Sequence, residues 1–420
     1  MIDRVKIKLR TFLQDKRRAI IISVSIIFWL AAIVYSIYMK DRLPYPDEQW
    51  YFNDYAQNIA NLHIFSRDGI NPTAFHPPLY PLMLGGLVSL GLGITAVRLV
   101  NFLAMFLTLL GVYKLLKNRL QKISPILAVL IALAYLVLFY TAGTLFPQTL
   151  GAMFFILAIM FYWKEHLTTI DAILSGITLG LAVLTIPTFI YLPFFLLIFS
   201  IFFKRDILKK TILLFIVVFI TIAPWTLRNF LVFDRFELVS NNFGTNFLIG
   251  NAPSTTPNNG PIAAAGIAEI FEEANRLGLD EFEKDDFYTN KALSFIEQDP
   301  GHYIKLYVQK VINYFNYRNN LLTASESSQV KDYVMLFTYG SMLIIASIRI
   351  LLVKEYPVYK LELFLLFLYV GNAFISALAF TRIRYRLPFD YLLIIFISIF
   401  LESVIEANKN EGEEILINQI

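Results

Sequence analysis

Long apolar runs alternate along the chain with short clusters of charge, and the runs set the architecture. Residues 19–39 form the first, long enough to cross the roughly 30 Å hydrocarbon core of a bilayer as a helix. Comparable runs follow at 96–116, 126–140, 149–163, 170–185, 188–203, 211–227, 333–352, 358–380 and 388–405. The pattern predicts an all-α polytopic membrane protein of about ten transmembrane helices. Between the first two runs, Phe52, Ala56, Ile59 and His63 recur at helical spacing, with Trp50, Tyr51 and Tyr55 beside them. That spacing predicts a helix lying in the membrane interface. The break at His76-Pro77-Pro78 is followed by an apolar run, 82–92, too short to span.

Charge orients these elements. Arg4, Lys6, Lys8, Arg10, Lys16, Arg17 and Arg18 precede the first run, which predicts a cytoplasmic amino terminus and an uncleaved first span. Residues 40–95 are then expected outside, as a first outer loop within an N-terminal module of 1–231. Asn, Gly and Pro clusters at 251–261 and the mixed acidic and apolar pattern after them mark 232–331 as a small extracytoplasmic domain. Residues 332–420 supply the last three spans, and both termini face the cytoplasm. The chain is 57% hydrophobic and 16% charged over 420 residues, which excludes an ordinary soluble domain. Its net charge of +4 is placed for topology, so no nucleic-acid partner is expected. With no cysteine, disulfides and thiolate metal sites are excluded.

The middles of the expected spans carry no ionisable residue, and the ionisable residues crowd at the outer ends. A transporter or lipid flippase needs such groups, or broken helices, near the midplane. The distribution favours chemistry at the outer face. Asp47 and Glu48 open the first-loop helix behind Pro46. They are either acids stabilising a first helical turn, worth under about 1 kcal/mol, or a general base with a supporting carboxylate. Arg382, Arg384 and Arg386 crowd a short outer loop, where the orientation rule disfavours arginine. They either snorkel to lipid phosphates or grip a substrate phosphate by paired hydrogen bonds. Arg98 and Arg228, expected at outer span ends, and His76 are further candidates for that phosphate. There is no zinc spacing, glycine-rich phosphate loop or serine elbow, and no cytoplasmic segment is long enough for a nucleotide-sugar domain.

These stretches, taken in order, resemble the GT-C class of membrane glycosyltransferases, in the bacterial branch related to aminoarabinose transferases and protein O-mannosyltransferases. The resemblance rests on Pro46-Asp47-Glu48, Pro77-Pro78-Leu79-Tyr80-Pro81, Arg98-Leu99 and the stretch 223–229 leading to 244–251. The helix pair within 292–310 and Arg384-Tyr385-Arg386-Leu387-Pro388 complete it. It implies a donor sugar on a polyprenyl phosphate, transfer outside the cytoplasm and inversion at the anomeric carbon. It assigns catalysis to Asp47 with Glu48 beside it, and the donor phosphate to Arg228, Arg384 and Arg386. Gln148 stands where relatives often have an acid, so a tightly held divalent cation is not expected. Ile186 replaces a frequent basic residue, and His76 in the basic position makes a phosphate contact there pH-dependent.

The expected activity is transfer of a sugar from a polyprenyl-phosphate donor to a glycan, lipid or protein hydroxyl at the outer face of the cytoplasmic membrane. Alternatives are a transporter or flippase, a glycan polymerase or ligase using a diphosphate-linked donor, and an assembly subunit without catalysis. An Asp-Glu directly after the first span separates the transferase from the polymerase.

Overall fold

The computed structural model describes residues 2–117, 124–257, 266–318 and 329–417, and the described residues are helical with no strands. Helix α1 (Ile2–Met39) contains the first span, Arg18–Met39. The first loop carries a helix that starts at α2 (Pro46–Gln49), widens to π geometry over Trp50–Ala56 and returns to α geometry over Gln57–Leu62. After the Pro-Pro break come α3 (Leu79–Ser89) and α4 (Ile94–Lys117). Helices α5 (Ser124–Ala134) and α6 (Leu136–Ala142) meet at a 69° bend. The turn after α6 leads to α7 (Gln148–Tyr162), then α8 (Thr169–Thr185), α9 (Tyr191–Phe203) and α10 (Leu208–Phe233).

Within the expected domain 232–331 lie α11 (Phe243–Asn251), α12 (Ile267–Arg276), α13 (Glu281–Gln298) and α14 (Pro300–Tyr314). The break between α13 and α14 falls at Asp299-Pro300, where Asp299 accepts the His302 N–H and caps the second helix. The chain ends in α15 (Gln329–Leu351), α16 (Lys360–Ala377) and α17 (Ile383–Ile417).

Among the described residues, six helices are long and apolar enough to span, and the bent α5–α6 pair makes a seventh. The remaining three of the ten expected runs form α7, α8 and, with the 3₁₀ turn Pro187–Ile190, α9, all apolar but under 18 residues. The protein is a multi-pass membrane protein. Burial separates centre from rim: 78% of the apolar stretch of Ile383–Ala407 is buried, against 17% of that of Arg18–Met39. Isoleucines and valines on the rim helix, such as Ile27 and Val34, stay exposed because lipid takes the place of a protein neighbour. Helix α17 starts five residues before the expected 388. Pro388 lies inside it and deprives only the Arg384 carbonyl of its helical partner.

Two of the charges buried near helix ends are met by ion pairs. Arg349 donates to both Glu362 oxygens, at 2.7 and 2.9 Å, and Arg386 pairs with Asp390 at 3.0 Å. The Asp390 carboxylate also accepts from the Tyr135 and Tyr369 hydroxyls, so the buried charge is fully met by donors.

Candidate active site

Tyr45 is extended (φ −113°, ψ 142°) and caps the first-loop helix, and Pro46 supplies a pre-set φ at its first position. Glu48, three residues on, reaches back to accept the Tyr45 N–H at 3.1 Å. Its other oxygen accepts the Leu145 N–H at 2.8 Å. Glu48 is fully buried, and burial raises its pKa against the pull of those two N–H groups. Its carboxylate is therefore spent on fastening the helix start to the turn after α6.

Asp47, one residue earlier, is rotated about 100° around the helix and is half-buried. Its Oδ2 accepts from Arg384 Nη1 at 2.6 Å. Arg384 also donates to the Tyr385 hydroxyl at 2.9 Å, and its guanidinium lies over the rings of Phe146 and Tyr385. Its Nε is buried without a partner. Two segments separated by 337 positions are thus joined by one charge-assisted hydrogen bond.

Beside this pair opens a cavity of about 330 Å³. Leu136, Val137, Tyr140, Val334 and Met335 form apolar walls, and Arg382, Arg384, Arg318 and Lys331 bring positive charge to it, against one acid, Asp332, among the described lining residues. An apolar channel with a cationic side suits an amphiphile that carries phosphate. Sequence reasoning passed over Arg318 and Lys331. Both lie in the last part of the expected outer domain, where a base reads as an ordinary solvated residue.

The three clustered arginines separate. Arg384 and Arg386 are two residues apart on one helix, about 200° around its axis, so they face opposite ways. Arg384 and Arg382 face the cavity. Arg386 is 1% exposed, pairs with Asp390, donates to the Tyr314 and Asn316 carbonyls at 2.6 and 2.8 Å, and lies 3.5 Å over the Tyr339 ring. The structure gives it protein partners where the sequence suggested a phosphate.

Arg98 is fully buried and donates to the carbonyls of Lys40 and Arg42, which fastens the end of α1 to α4. Arg228 donates to the Thr73 carbonyl and the Asn229 side chain, both at 3.0 Å, and stacks on Trp225. It lines a different cavity, with Ile59, Phe65 and Leu82, and shares none of the lining of the first. His76 sits in an aromatic nest of Trp50, Tyr51, Tyr55 and Phe75. Its Nδ1 is 3.0 Å from the Tyr55 hydroxyl, and burial pushes its pKa down to about 4. At neutral pH it is therefore uncharged, a packing and hydrogen-bonding group rather than a cation.

Among the described residues, no three acids or histidines cluster to hold a metal ion.

Glu281, at the start of α13, was not singled out in the sequence. It accepts from the Thr73 hydroxyl at 2.5 Å and the Ala74 N–H at 2.9 Å, and burial raises its pKa. It clasps the loop that leads to His76 from 208 residues away, a range at which no local pattern signals contact.

Residues 75–227 match the family model for dolichyl-phosphate-mannose-protein mannosyltransferases. No curated protein matches the chain in sequence. Among solved structures, ArnT from Cupriavidus metallidurans bound to undecaprenyl phosphate is 14% identical with a TM-score of 0.45, over 90% of this chain and 78% of that one. The same protein in the apo state is 15% identical with a TM-score of 0.42, over 90% and 77%. The archaeal oligosaccharyltransferase AglB from Archaeoglobus fulgidus, in complex with an inhibitory peptide and a dolichol-phosphate, is 15% identical with a TM-score of 0.43. That alignment takes in 94% of this chain and about half, 52%, of AglB. The likeness to that family of membrane mannosyltransferases spans residues 75–227 of the 420, from the Pro-Pro break into α10.

Proposed function

We propose that the protein transfers a sugar from a polyprenyl-phosphate donor to an acceptor hydroxyl, with inversion, at the extracytoplasmic face of the membrane. The observation that carries this reading is the Asp47–Arg384 contact beside the cavity that Arg384 lines. The family's name supplies the donor class, a sugar on a polyprenyl phosphate. The prenyl chain lies along the apolar walls and the phosphate meets Arg384 and Arg382.

In the reaction the acceptor oxygen bonds to the anomeric carbon as the bond from that carbon to the phosphate oxygen breaks. The bonding pair leaves with the phosphate, and the acceptor proton passes to Asp47. The donor phosphodiester carries one negative charge and the departing phosphate monoester gains a second. Asp47 loses its charge as it takes the proton. The guanidinium between them is therefore released by one anion as the other grows, so its hold on the phosphate is strongest in the transition state. Glu48 fixes the helix that presents Asp47, and the acceptor approaches from the side of the first loop.

The test incubates purified protein with a panel of polyprenyl-phosphate sugars and candidate glycan, lipid and peptide acceptors. Covalent product with wild type and none with Asp47→Asn supports the reading. Product at the wild-type rate from Asp47→Asn removes Asp47 as base, and movement of the lipid without covalent product favours a flippase.

A further inference from the structure

Arg384 follows directly on the 378–382 turn between α16 and α17, and that turn is gripped from outside the spanning helices. Asn313, near the end of α14, donates through Nδ2 to the Thr381 carbonyl and hydroxyl, both at 3.0 Å. The Thr381 hydroxyl in turn donates to the Lys310 carbonyl at 3.1 Å. Asn251, the last residue of α11, donates to the Leu378 carbonyl at 2.9 Å. Lys310 Nζ donates to Asn251 Oδ1 at 3.0 Å, which leaves the amide Nδ2 to face the Leu378 carbonyl.

Backbone approach is equally close. A Cβ at Gly250 would lie 2.0 Å from the Ala379 carbonyl oxygen, so α11 meets the turn at a distance only glycine allows. A Cβ at Gly244 would lie 2.0 Å from the Asp285 carbonyl oxygen, which presses the other end of α11 onto α13. Phe380 and Tyr385 then pack in one small apolar cluster with Ile249 and Ile267. The same helical unit also holds the loop that leads to His76, since Glu281 of α13 clasps Thr73 and Ala74.

We propose that Asn313 and Asn251 are positioning residues for the transfer: by pinning the 378–382 turn to α14 and α11, they set Arg384 against Asp47 and the donor phosphate. This rests on the reading of Arg384 as the phosphate-binding arginine. The helices within 232–331 then act as a jig that holds both this turn and the loop before His76. The spanning helices hold the turn at its two ends, where the N–H groups of Leu378 and Ala379 bond Ile375 and Ser376 and the Tyr385 N–H bonds the Arg382 carbonyl. Asn251 and Asn313 hold it at Leu378 and Thr381, from outside those helices.

The experiment is a double-mutant cycle in the full chain, with polyprenyl phosphate as the binding probe and transfer kinetics beside it. Asn313→Ala is expected to weaken polyprenyl-phosphate binding about tenfold, the scale of one lost charge-assisted contact. It should leave the acceptor KM unchanged and lose its effect on binding when Arg384→Ala is already present. Asn313→Asp keeps the volume but removes the donor, so it should match Asn313→Ala. Thr381→Val, nearly isosteric, should weaken binding in the same direction and serves if the Asn313 variants fold poorly. Equal weakening by Asn313→Ala or Thr381→Val in the presence and absence of Arg384 assigns them to general stability and overturns the proposal. So does wild-type binding in those variants while Arg384→Ala binds weakly. Wild-type binding in Arg384→Ala itself overturns the phosphate reading, and the positioning role with it.

Discussion

Asp47 and Arg384 meet at 2.6 Å, with side chains 29% and 25% exposed, and they join the first loop to the last helix beside the cavity. The pair is open enough to exchange partners. A phosphate entering beside Arg384 competes with Asp47 for the same guanidinium and leaves the carboxylate better able to take a proton. Asp47→Asn is expected to lower the transfer rate by at least about a hundredfold, the low end for loss of a general base. Because it also removes the anion that competes for Arg384, polyprenyl-phosphate binding should be unchanged or tighter. Binding isotherms beside initial rates check both halves, and weaker binding in that variant would contradict the competition.

Arg384→Ala should weaken polyprenyl-phosphate binding by about 10–100-fold, since hydrogen bonds to charged groups are worth about 1.5–3 kcal/mol. Thermal stability should hardly change, because a partly exposed ion pair contributes about 0–1 kcal/mol. Arg384→Lys keeps the charge but loses the fork, and should recover only part of the affinity. Titration of wild type and both variants with the same lipid ranks them, and equal affinities would return Arg384 to an anchoring role.

The helices and their breaks were legible in the sequence because each is a local pattern. Apolar runs mark spans, Pro77-Pro78 stops a helix, and Pro46 starts one. The chain could not show which arginine faces the cavity. That choice depends on the register of α17, which starts at Ile383, before the proline that suggested the boundary. Arg386 looked like Arg384 until its i,i+4 partner Asp390 was seen to be buried with it. Arg98 met its partners, two backbone carbonyls, at 58 and 56 positions' distance. Carbonyls leave no mark in a sequence. Glu48 was read as chemistry because it adjoins Asp47, yet its spacing from Tyr45 was a helix-capping signal.

The buried partner of the third arginine makes a contrasting prediction. Arg386 and Asp390 are 1% and 0% exposed, so removing one leaves an uncompensated charge in a low-dielectric interior. Asp390→Ala should destabilise the protein by about 3–5 kcal/mol. Arg386→Met with Asp390→Leu removes the unpaired charge but strands the Tyr135 and Tyr369 hydroxyls and the Tyr314 and Asn316 carbonyls, so it should recover only part of that loss. Thermal unfolding in detergent of the single and double variants tests this. A single variant as stable as wild type would reopen Arg386 as a substrate contact.

His76 sets an acid limit on stability. Burial holds its folded pKa at about 4, below the ordinary value of 6.5, so the folded site favours the neutral ring. Between those values the unfolded chain binds a proton that the folded chain does not, and stability rises with pH. Its contribution is complete above about 6.5, falls as the pH drops toward 4, and levels off below. At about 1.4 kcal/mol per pKa unit, the loss amounts to a few kcal/mol at most. His76→Asn, which can retain a hydrogen bond to the Tyr55 hydroxyl, should flatten this part of the profile without lowering stability at pH 7 by a comparable amount. Unfolding temperatures of both proteins from pH 7.5 to 4, on the order of one measurement per half unit, decide it. Parallel curves would place the acid sensitivity on other groups and leave His76 as simple packing among Tyr51, Tyr55 and Trp50.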